Sequence, residues 1–432
     1  MRAMLDVVSR HRAGAPVGIT SVCSAHPLVI RAALRHAQAT GDEVLIEATS
    51  NQVNQDGGYT GLTPAQFRDT VGRLADEAGL PRARVLLGGD HLGPNAWQDQ
   101  PAQEALERSR VLVRQYVSAG FRKIHLDCSM SCADDPRTLA DETIATRTAL
   151  LAQEAEAAWR SAGGEPPVYV VGTEVPVPGG AHETLQELAV TDPKAASATV
   201  AAHRSAFAAR GLERAWERVI GLVVQPGVEF DHDRVSEYQP EKARALSTWL
   251  GEVPLLGFEA HSTDYQSGPS LAALVRDHFA ILKVGPALTF AVREAVWALD
   301  QLEHEWLGAE RSSNVRATLL KAMRSDPKHW RRYYHGSGKS LELQLQYSLS
   351  DRIRYYWPAP AVIAALDRLT ASFDAGPPPL ELLHRYLPGA YEAVRHGELA
   401  PRLEELVIHH VRGVLAQYSR ACNPTTNERS KP

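Results

Sequence analysis

Eight short apolar runs, which recur between longer helical patterns, limit the folds open to this chain more than any other feature. Most of the runs are nearly continuous in apolar residues, as expected for parallel strands that are covered on both faces. Eight strands that alternate with helices predict an α/β fold, a closed (β/α)8 TIM barrel. A doubly wound open sheet is the alternative, and the count of eight favours the barrel. The runs span residues 17–23, 43–49, 85–90, 121–127, 168–174, 219–225, 254–261 and 279–285.

The clearest helix signal between these runs begins at Thr63 and Pro64. Thr63 is a predicted N-cap, Pro64 suits the first helical position, and Gln66 is the predicted capping-box partner. The apolar spacing then continues to Gly79, which is typical of a helix end. The sequence therefore predicts one well-capped barrel helix between the second and third strands.

The strand pattern ends near residue 310, and only helical patterns follow it. We predict a barrel over residues 1–310, a C-terminal helical extension packed on it over 311–420, and a disordered tail over 421–432. The helices predicted within the extension span residues 315–326, 341–357, 360–373 and 402–421.

Composition excludes several classes of partner and compartment. A net charge of −5 at pH 7 disfavours a nucleic acid or an anionic membrane as the main partner. No apolar run reaches the roughly 18 residues that span a bilayer, and the N-terminus lacks the apolar segment of a signal peptide. The four cysteines form no disulfide framework. Together these features predict a cytoplasmic protein.

Ionisable and polar side chains follow the predicted strands at the end where the active sites of such barrels form. Removing so many carboxylates from water is costly without a counter-ion, so the pattern predicts a bound divalent cation. Imidazole and carboxylate ligands suit zinc, and manganese fits if oxygen ligands dominate. His91 and His261 are predicted ligands because their strands can face each other across the barrel mouth. The polar set is Glu47, Ser50, Asn51, Gln52, Asp90, His91, His125, Asp127, Glu174, Gln225, Glu259, His261, Asp264 and Lys283.

Two glycine-containing segments are candidate phosphate sites because each opens a helix, whose free N–H groups attract anions. They are GGYTGLTP at 57–64 and GPALTF at 285–290, and tight turns are the alternative for both. The segment HGSGKS at 335–340 imitates the end of a nucleotide-binding P-loop, but Tyr333 stands where that motif needs glycine. A P-loop kinase is therefore disfavoured, and no G-x-G-x-x-G follows a strand to indicate a bound NAD.

Several long motifs resemble those of a known family. They are LIEATSNQVNQDGGYTG, LLGGDHLGPNAWQ, KIHLDCSM, GTEVPVPGG, FEAHSTDYQ and SLSDRIRYYW. The family is the D-tagatose-1,6-bisphosphate aldolase non-catalytic subunit family, of GatZ/KbaZ type, and the likeness extends from about residue 5 to 420. Asp56 departs from this resemblance, because the family pattern has a bulky apolar residue at the corresponding position.

The resemblance implies kinship with class II, metal-dependent aldolases, which place an Asp-His pair at the end of the third strand. Asp90 and His91 match that pair, so the resemblance implies that His91 binds zinc and Asp90 transfers protons. His261 fits a later zinc histidine, whereas the position after the sixth strand holds Gln225. Gln225 or Glu174 is the expected remaining ligand.

The resemblance implies two alternative functions. One is a metal-dependent 4-epimerase that interconverts D-tagatose 6-phosphate and D-fructose 6-phosphate by a retro-aldol/aldol route. The other is a non-catalytic subunit that stabilises a class II aldolase catalytic subunit, and homo-oligomerisation is left open. The expected catalytic residues are Asp90, Glu174 and Asp127, and the expected contacts to the phosphorylated ketose are Glu47, Asn51, Gln52, Lys283, Asp264, Arg352 and Arg354.

Overall fold

A computed structural model describes residues 2–173, 188–251, 253 and 256–424, and eight of its strands close into a parallel barrel. The order around the barrel is β1-β2-β3-β4-β5-β6-β9-β10, while β7 and β8 form a separate antiparallel ribbon. Each of the eight predicted runs contains one barrel strand, so the predicted (β/α)8 fold is confirmed. The strands are β1 (Ile19–Cys23), β2 (Val44–Thr49), β3 (Val85–Leu92), β4 (Lys123–Leu126), β5 (Val168–Val171), β6 (Val219–Val223), β7 (Glu229–Phe230), β8 (Val235–Ser236), β9 (Gly257–Ala260) and β10 (Ile281–Val284).

Helices surround the barrel, and among the described residues none is both long and apolar enough to cross a membrane. The predicted Thr63 cap is present, with the reciprocal hydrogen bonds of a capping box to Gln66. The helices are α1 (Arg2–Arg12), α2 (Pro27–Thr40), α3 (Pro64–Glu77), α4 (Ala102–Ser118), α5 (Asp141–Ala162), α6 (Pro193–Ala208), α7 (Glu213–Trp216), α8 (Pro240–Gly251), α9 (Gly268–Arg276), α10 (Pro286–Leu307), α11 (Val315–Ser325), α12 (Gly338–Tyr347), α13 (Pro360–Ala375), α14 (Leu380–Tyr386), α15 (Pro388–Arg395) and α16 (Leu403–Cys422).

Helix α1 closes the amino-terminal end of the barrel. Its buried Met4 and Val8 pack in one apolar cluster with Leu45, Val168 and Ile281 from three strands. This plug keeps water from the bottom of the barrel, so the opposite, carboxyl end is left as the open mouth.

The predicted single helix over 341–357 is wrong, because the chain leaves the helical path after Tyr347. Asp351 adopts a left-handed conformation with φ 44°, and a short 3₁₀ turn, Arg352–Tyr355, follows it. A left-handed residue cannot continue an α-helix. The break brings the segment 351–355 over the mouth of the barrel.

The last helix, α16, belongs to the ring of barrel helices and is not an outlying part of the extension. It packs against α2, α9, α10 and β1. The Gly18 N–H donates to the Cys422 carbonyl over 2.9 Å, and the Tyr418 hydroxyl donates to the Thr263 carbonyl over 2.7 Å. Because Cys422 is buried within α16, the predicted start of a disordered tail at 421 is wrong. Residues 425–432 of that predicted tail lie outside the described residues.

We expect truncation after Arg402, which removes α16, to prevent formation of the native barrel. The apolar faces of α2, α9 and β1 would lose their cover, and exposed apolar area is the dominant loss in folding. Truncation after Asn423 is the matched control, since it leaves α16 intact. Circular dichroism and cooperative thermal unfolding of the two proteins check the prediction. A cooperative, native-like transition in the shorter protein would contradict it.

Candidate active site

A cavity of about 730 Å³ opens at the carboxyl ends of the strands. Imidazole and carboxylate groups form its floor, and basic and aromatic groups of the extension form one wall. The floor includes Cys23, Asp90, His91, His261, Asp264 and Lys283, and the wall includes Lys328, Arg331, Arg332, Tyr333, Arg352, Arg354 and Tyr355. A volume of this size suits a phosphorylated monosaccharide.

An irregular end of β3 places Asp90 and His91 side by side on the floor. The pairing of β3 with β4 shifts register between Gly89 and Leu92, and His91 has a left-handed φ of 46°. Left-handed backbone at a non-glycine residue is uncommon and is often found at functional sites. Gly88 is needed just before it, because a Cβ there would overlap the Glu47 carboxylate. Two consecutive residues can therefore both project toward the mouth, against the usual alternation of a strand.

Three histidines at the ends of three strands meet at the floor of the cavity, where His91 and His261 line it and His125 lies beside them without lining it. The ring centroids of His91 and His261 are 4.9 Å apart, those of His91 and His125 are 5.0 Å apart, and those of His125 and His261 are 5.2 Å apart. All three side chains are buried. A compact triangle of buried imidazoles is the ligand arrangement of a His₃ catalytic metal site.

Each of these imidazoles has one ring nitrogen bonded to a buried carboxylate. His91 Nδ1 lies 2.7 Å from Asp127 Oδ2, and His125 Nδ1 lies 2.8 Å from Asp90 Oδ1. His261 uses its other nitrogen, with Nε2 2.9 Å from an oxygen of Glu259. A carboxylate on one nitrogen fixes the ring and leaves the second nitrogen to bind a cation, as in metal centres. This pattern leaves Nε2 of His91, Nε2 of His125 and Nδ1 of His261.

These residues fit a divalent cation. One ligand atom from each of Asp90, His91, His125 and His261 lies within 4.8 Å of the others. Nε2 of His125 is buried and has no hydrogen-bond partner among the described residues. A buried unpaired ring nitrogen is costly unless a ligand completes it. Imidazole ligands favour zinc over calcium or magnesium, whose ligands are oxygens.

A cluster of three carboxylates lies beneath the histidines, and two lysines neutralise its charge. Lys123 Nζ lies 2.8 Å from Glu47 and 2.6 Å from Glu259, and Lys283 Nζ lies 2.6 Å from Glu47 and 2.8 Å from Asp90. Carboxylate oxygens of Glu47, Asp90 and Glu259 lie within metal-binding distance of one another. The two ammonium groups account for that cluster, so it does not indicate a further metal.

The contacts among these buried side chains determine which groups on the cavity floor are charged. Burial opposes ionisation of Asp90, but His91, Lys283 and the hydrogen bond from His125 outweigh it and hold the pKa of Asp90 well below its ordinary value. Burial lowers the pKa of His261 to about 3, although its bond to Glu259 acts in the opposite direction. His261 is therefore neutral at physiological pH, as a metal ligand must be.

Lys283 is a fixed positive charge rather than a nucleophile. Burial works against its ammonium form, but Asp90, Cys23 and Glu47 outweigh burial and raise the pKa of Lys283 well above its ordinary value. An amine that stays protonated cannot attack a carbonyl carbon. The floor thus favours metal-assisted chemistry over Schiff-base chemistry.

The structure brings together most of the residues predicted from the sequence. The residues that line the cavity are Asn51, Gln52, Asp90, His91, His261, Asp264, Lys283, Arg352 and Arg354. Glu47 lies beneath the floor with its carboxylate on the two lysines, and Asp127 lies behind His91, so neither is positioned to touch a ligand in the cavity. Glu174 lies outside the described residues.

The Gln225 side chain does not lie where a ligand to the proposed metal would be expected. Its side-chain oxygen accepts hydrogen bonds from the N–H groups of Gly227 and Val228, over 2.8 and 3.0 Å. This oxygen closes the turn after β6, and Gln225 does not line the cavity. His125 stands beside His91 and His261 instead.

The alternation of residues along β4 could have indicated that His125 faces the interior of the barrel. Lys123, His125 and Asp127 alternate with apolar residues along β4. Alternate residues of a strand face the same side, so these three face the barrel interior, in the order lysine network, imidazole, carboxylate. Glu259 and His261 repeat the arrangement at β9.

Two arginines of the 351–355 segment, the buried Arg352 and the half-buried Arg354, form part of the cavity wall. Arg352 donates from Nε to the Ser350 hydroxyl, and Arg354 donates to the carbonyls of Ser350 and Asp351. In the described part of the chain neither guanidinium forms an ion pair, and Arg352 Nη2 is buried without a hydrogen-bond partner. A buried guanidinium nitrogen without a partner favours binding of an anion, and the guanidinium fork suits phosphate.

Contacts to the barrel hold this wall in place. The Thr289 hydroxyl donates to Asp351 over 2.5 Å, and Arg293 lies 3.5 Å from the same carboxylate. The Tyr265 hydroxyl donates to the Leu349 carbonyl over 2.6 Å. The wall is therefore tied to α10 and to the loop after β9, next to the histidine cluster.

Neither glycine-containing segment is placed as a phosphate site. Asp264 Oδ1 accepts from the N–H groups of Gly285 and Ala287 at the start of α10, which satisfies the donors that a phosphate would use. The helix after segment 57–64 is capped by Thr63, away from the cavity lining. The segment 335–340 leads into α12 and follows a 3₁₀ turn rather than a strand, which agrees with the rejection of a P-loop.

Comparison with known proteins identifies the family of this chain and agrees with its fold. Residues 4–423 match the family model described as D-tagatose-1,6-bisphosphate aldolase subunit GatZ/KbaZ-like. A solved structure described as a probable tagatose 6 phosphate kinase from Sinorhizobium meliloti 1021 is 48% identical, with a TM-score of 0.86, over 94% of this chain and 100% of that one. The fructuronate-tagaturonate epimerase UxaE from Cohnella laeviribosi is 11% identical, with a TM-score of 0.50, over 94% of this chain and 82% of that one. This last likeness shows the fold alone.

Proposed function

Because this chain belongs to the D-tagatose-1,6-bisphosphate aldolase subunit GatZ/KbaZ-like family, we propose that it is a metal-dependent 4-epimerase of ketose phosphates. Its substrates would be D-tagatose 6-phosphate and D-fructose 6-phosphate. The observation that carries the proposal is a cavity whose floor lies at a carboxylate-backed histidine triangle and whose wall carries Arg352 and Arg354, which form no ion pair among the described residues. The first suits a Lewis acid, and the second suits a phosphate.

His91, His125 and His261 would hold the metal, with zinc the favoured ion and manganese the alternative. Bound there, a divalent cation polarises a ketose carbonyl and stabilises negative charge on the adjacent oxygens. Glu259 and Asp127 are positioning residues, because each holds one imidazole through its other nitrogen. Sequence and family likeness also keep Glu174 as a proposed ligand or catalytic group.

The chemistry follows from the position of the carbon that inverts. The C4 hydrogen of a 2-ketose is not adjacent to the carbonyl and is not acidic by enolisation. Inversion by cleavage requires a base that takes the proton of the C4 hydroxyl while the C3–C4 bond breaks and its electron pair passes toward C2. Asp90 is the proposed base, since its carboxylate lines the cavity beside His91.

Inversion is completed when the cleaved aldehyde turns its other face and the C3–C4 bond re-forms. Asp90 then returns the proton to the new C4 oxygen. Arg352 and Arg354 would hold the phosphate of the three-carbon aldehyde, so that it rotates without leaving. Asn51 and Gln52, which line the same cavity, are proposed hydroxyl contacts, and Lys283 would limit the build-up of negative charge.

Incubation of the isolated protein with D-fructose 6-phosphate and zinc is expected to yield D-tagatose 6-phosphate. Chelation before the assay should lower the rate at least about a hundredfold, because the metal supplies several kcal/mol of transition-state stabilisation. In deuterated water the product should carry no deuterium at C4, since the C4 hydrogen never leaves carbon. Deuterium at C4, or a rate insensitive to chelation, would contradict the proposal.

A second candidate is a subunit that stabilises a separate class II aldolase, which the family description favours by the word subunit. The same assay separates the two, because a purely stabilising subunit would not convert fructose 6-phosphate in isolation. It would instead raise the thermal stability of a co-purified class II aldolase subunit. Adding ATP to the assay tests the kinase activity named for the Sinorhizobium meliloti protein, through formation of a bisphosphate.

A further inference from the structure

The amino-terminal turn of α10 is already occupied by a carboxylate of the chain itself. Asp264 Oδ1 lies 3.0 Å from the Gly285 nitrogen and 2.8 Å from the Ala287 nitrogen, and Pro286 has no N–H. The two following N–H groups donate to the Gly285 carbonyl. The first turn therefore retains no N–H group for an anion, at the position where many barrels of this fold bind phosphate.

Asp264 also places a negative charge in the cavity. It is buried, it lines the cavity together with Gly285 and Pro286, and it follows the metal-ligand candidate His261 on one loop. A phosphate that approached the start of α10 would meet this carboxylate instead of free N–H groups. Like charges placed together in a partly dry site repel strongly.

Two arginines that suit an anion lie on the extension instead, one buried and one half-buried. Arg352 and Arg354 donate to hydroxyl and carbonyl oxygens of their own segment, and Nη2 of Arg352 is buried with no partner in the described ranges. The exposed Arg331 and Arg332 stand farther out, at the rim. The cavity thus has a wall on the extension that attracts an anion, and a carboxylate, Asp264, at the start of α10.

We infer that Asp264 makes this site selective for ketoses that carry a single phosphate, held by Arg352 and Arg354. The inference rests on the proposed function for its substrate class and adds the group that rejects a second phosphate. Asp264 is a specificity residue here and takes no part in the cleavage step.

Binding of two unreactive probes to the full-length, metal-loaded protein tests the inference. D-mannitol 6-phosphate and D-mannitol 1,6-bisphosphate have no carbonyl, so neither can undergo C3–C4 cleavage, and calorimetry reports affinity alone. We expect the monophosphate to bind at least about tenfold more tightly than the bisphosphate. In Asp264→Asn, which keeps an oxygen for the two N–H groups, that preference should fall at least about tenfold. Asp264→Ser should do the same if the asparagine variant does not fold.

Asp231→Asn is the matched control, because Asp231 is also buried and its Oδ1 also accepts from two backbone N–H groups, but it does not line the cavity. Its preference should equal that of the unmodified protein. Arg354→Gln should weaken both probes at least about tenfold, whereas Arg332→Gln at the rim should change them less than about threefold.

Equal affinity of the unmodified protein for both probes, or an unchanged preference in both Asp264 variants, would overturn the inference. Either result is compatible with full epimerase activity, so it would not contradict the proposed function. A selective site in a protein without epimerisation would overturn the proposed function and leave the single-phosphate selectivity in place.

Discussion

Replacement of His125 by alanine is expected to remove bound metal and to lower epimerisation by about a thousandfold. The ring lies within 5.2 Å, centroid to centroid, of both other histidines, and its Nε2 is buried without a hydrogen-bond partner among the described residues. Loss of one of three imidazole ligands removes the metal or leaves it misplaced. The several kcal/mol that a metal supplies to charge stabilisation correspond to a rate factor of about 10³. Metal content by mass spectrometry and the initial rate of tagatose 6-phosphate formation check both parts.

His203→Ala is the control for loss of a buried imidazole. His203 lies in α6, its Nδ1 is 2.9 Å from the Thr199 carbonyl, and it does not line the cavity. We expect that variant to keep its metal and its activity, with a modest loss of stability. A His125→Ala protein that retained stoichiometric zinc would contradict the three-histidine centre and return the third ligand to another residue.

The contrast between His125 and Gln225 shows what the sequence could and could not specify in the site. Strand position alone indicates that both residues lie near the mouth, and alternation along β4 indicates that His125 faces inward. The direction of the Gln225 side chain depends on the turn after β6, where its oxygen caps the N–H groups of Gly227 and Val228. Turn geometry of that kind is not encoded in the strand pattern, so the sequence could not show that the Gln225 oxygen closes a turn.

The local sequence pattern also could not predict contacts between residues that are distant in the sequence. The eight strands were predictable because each is a local run of apolar residues that both faces of the sheet require. The contact that makes α16 a barrel helix joins Gly18 to Cys422, and no local pattern reports it. The arginine wall likewise depends on the pairing of Thr289 with Asp351, so the sequence could name Arg352 and Arg354 but not the break that turns them into the cavity.

Replacement of Lys123 by methionine is expected to lower the free energy of unfolding by about 3 to 5 kcal/mol, the range for breaking a buried ion pair on one side. The Lys123 side chain is 1% exposed, and its ammonium nitrogen lies 2.6 Å from a carboxylate oxygen of Glu259, whose side chain is 0% exposed. Without Lys123, Glu259 would remain charged in a dry site with His261 as its remaining described partner. Lys123 also lies behind the cavity and outside its lining, so the effect should appear without ligand. Urea unfolding of the ligand-free protein measures it.

An exposed ion pair of similar length serves as a control that separates the effect of burial on stability from the effect of distance. The pair formed by Arg324 and Glu342 is as short, at 2.5 Å, but its side chains are 47% and 39% exposed. Water screens such a pair, so Arg324→Met should cost less than about 1 kcal/mol. Adding Glu259→Gln to Lys123→Met should recover much of the lost stability, because it removes the orphaned charge. If Lys123→Met cost no more than Arg324→Met, the lysine could not be the counter-ion that keeps the acidic layer stable beneath the three histidines.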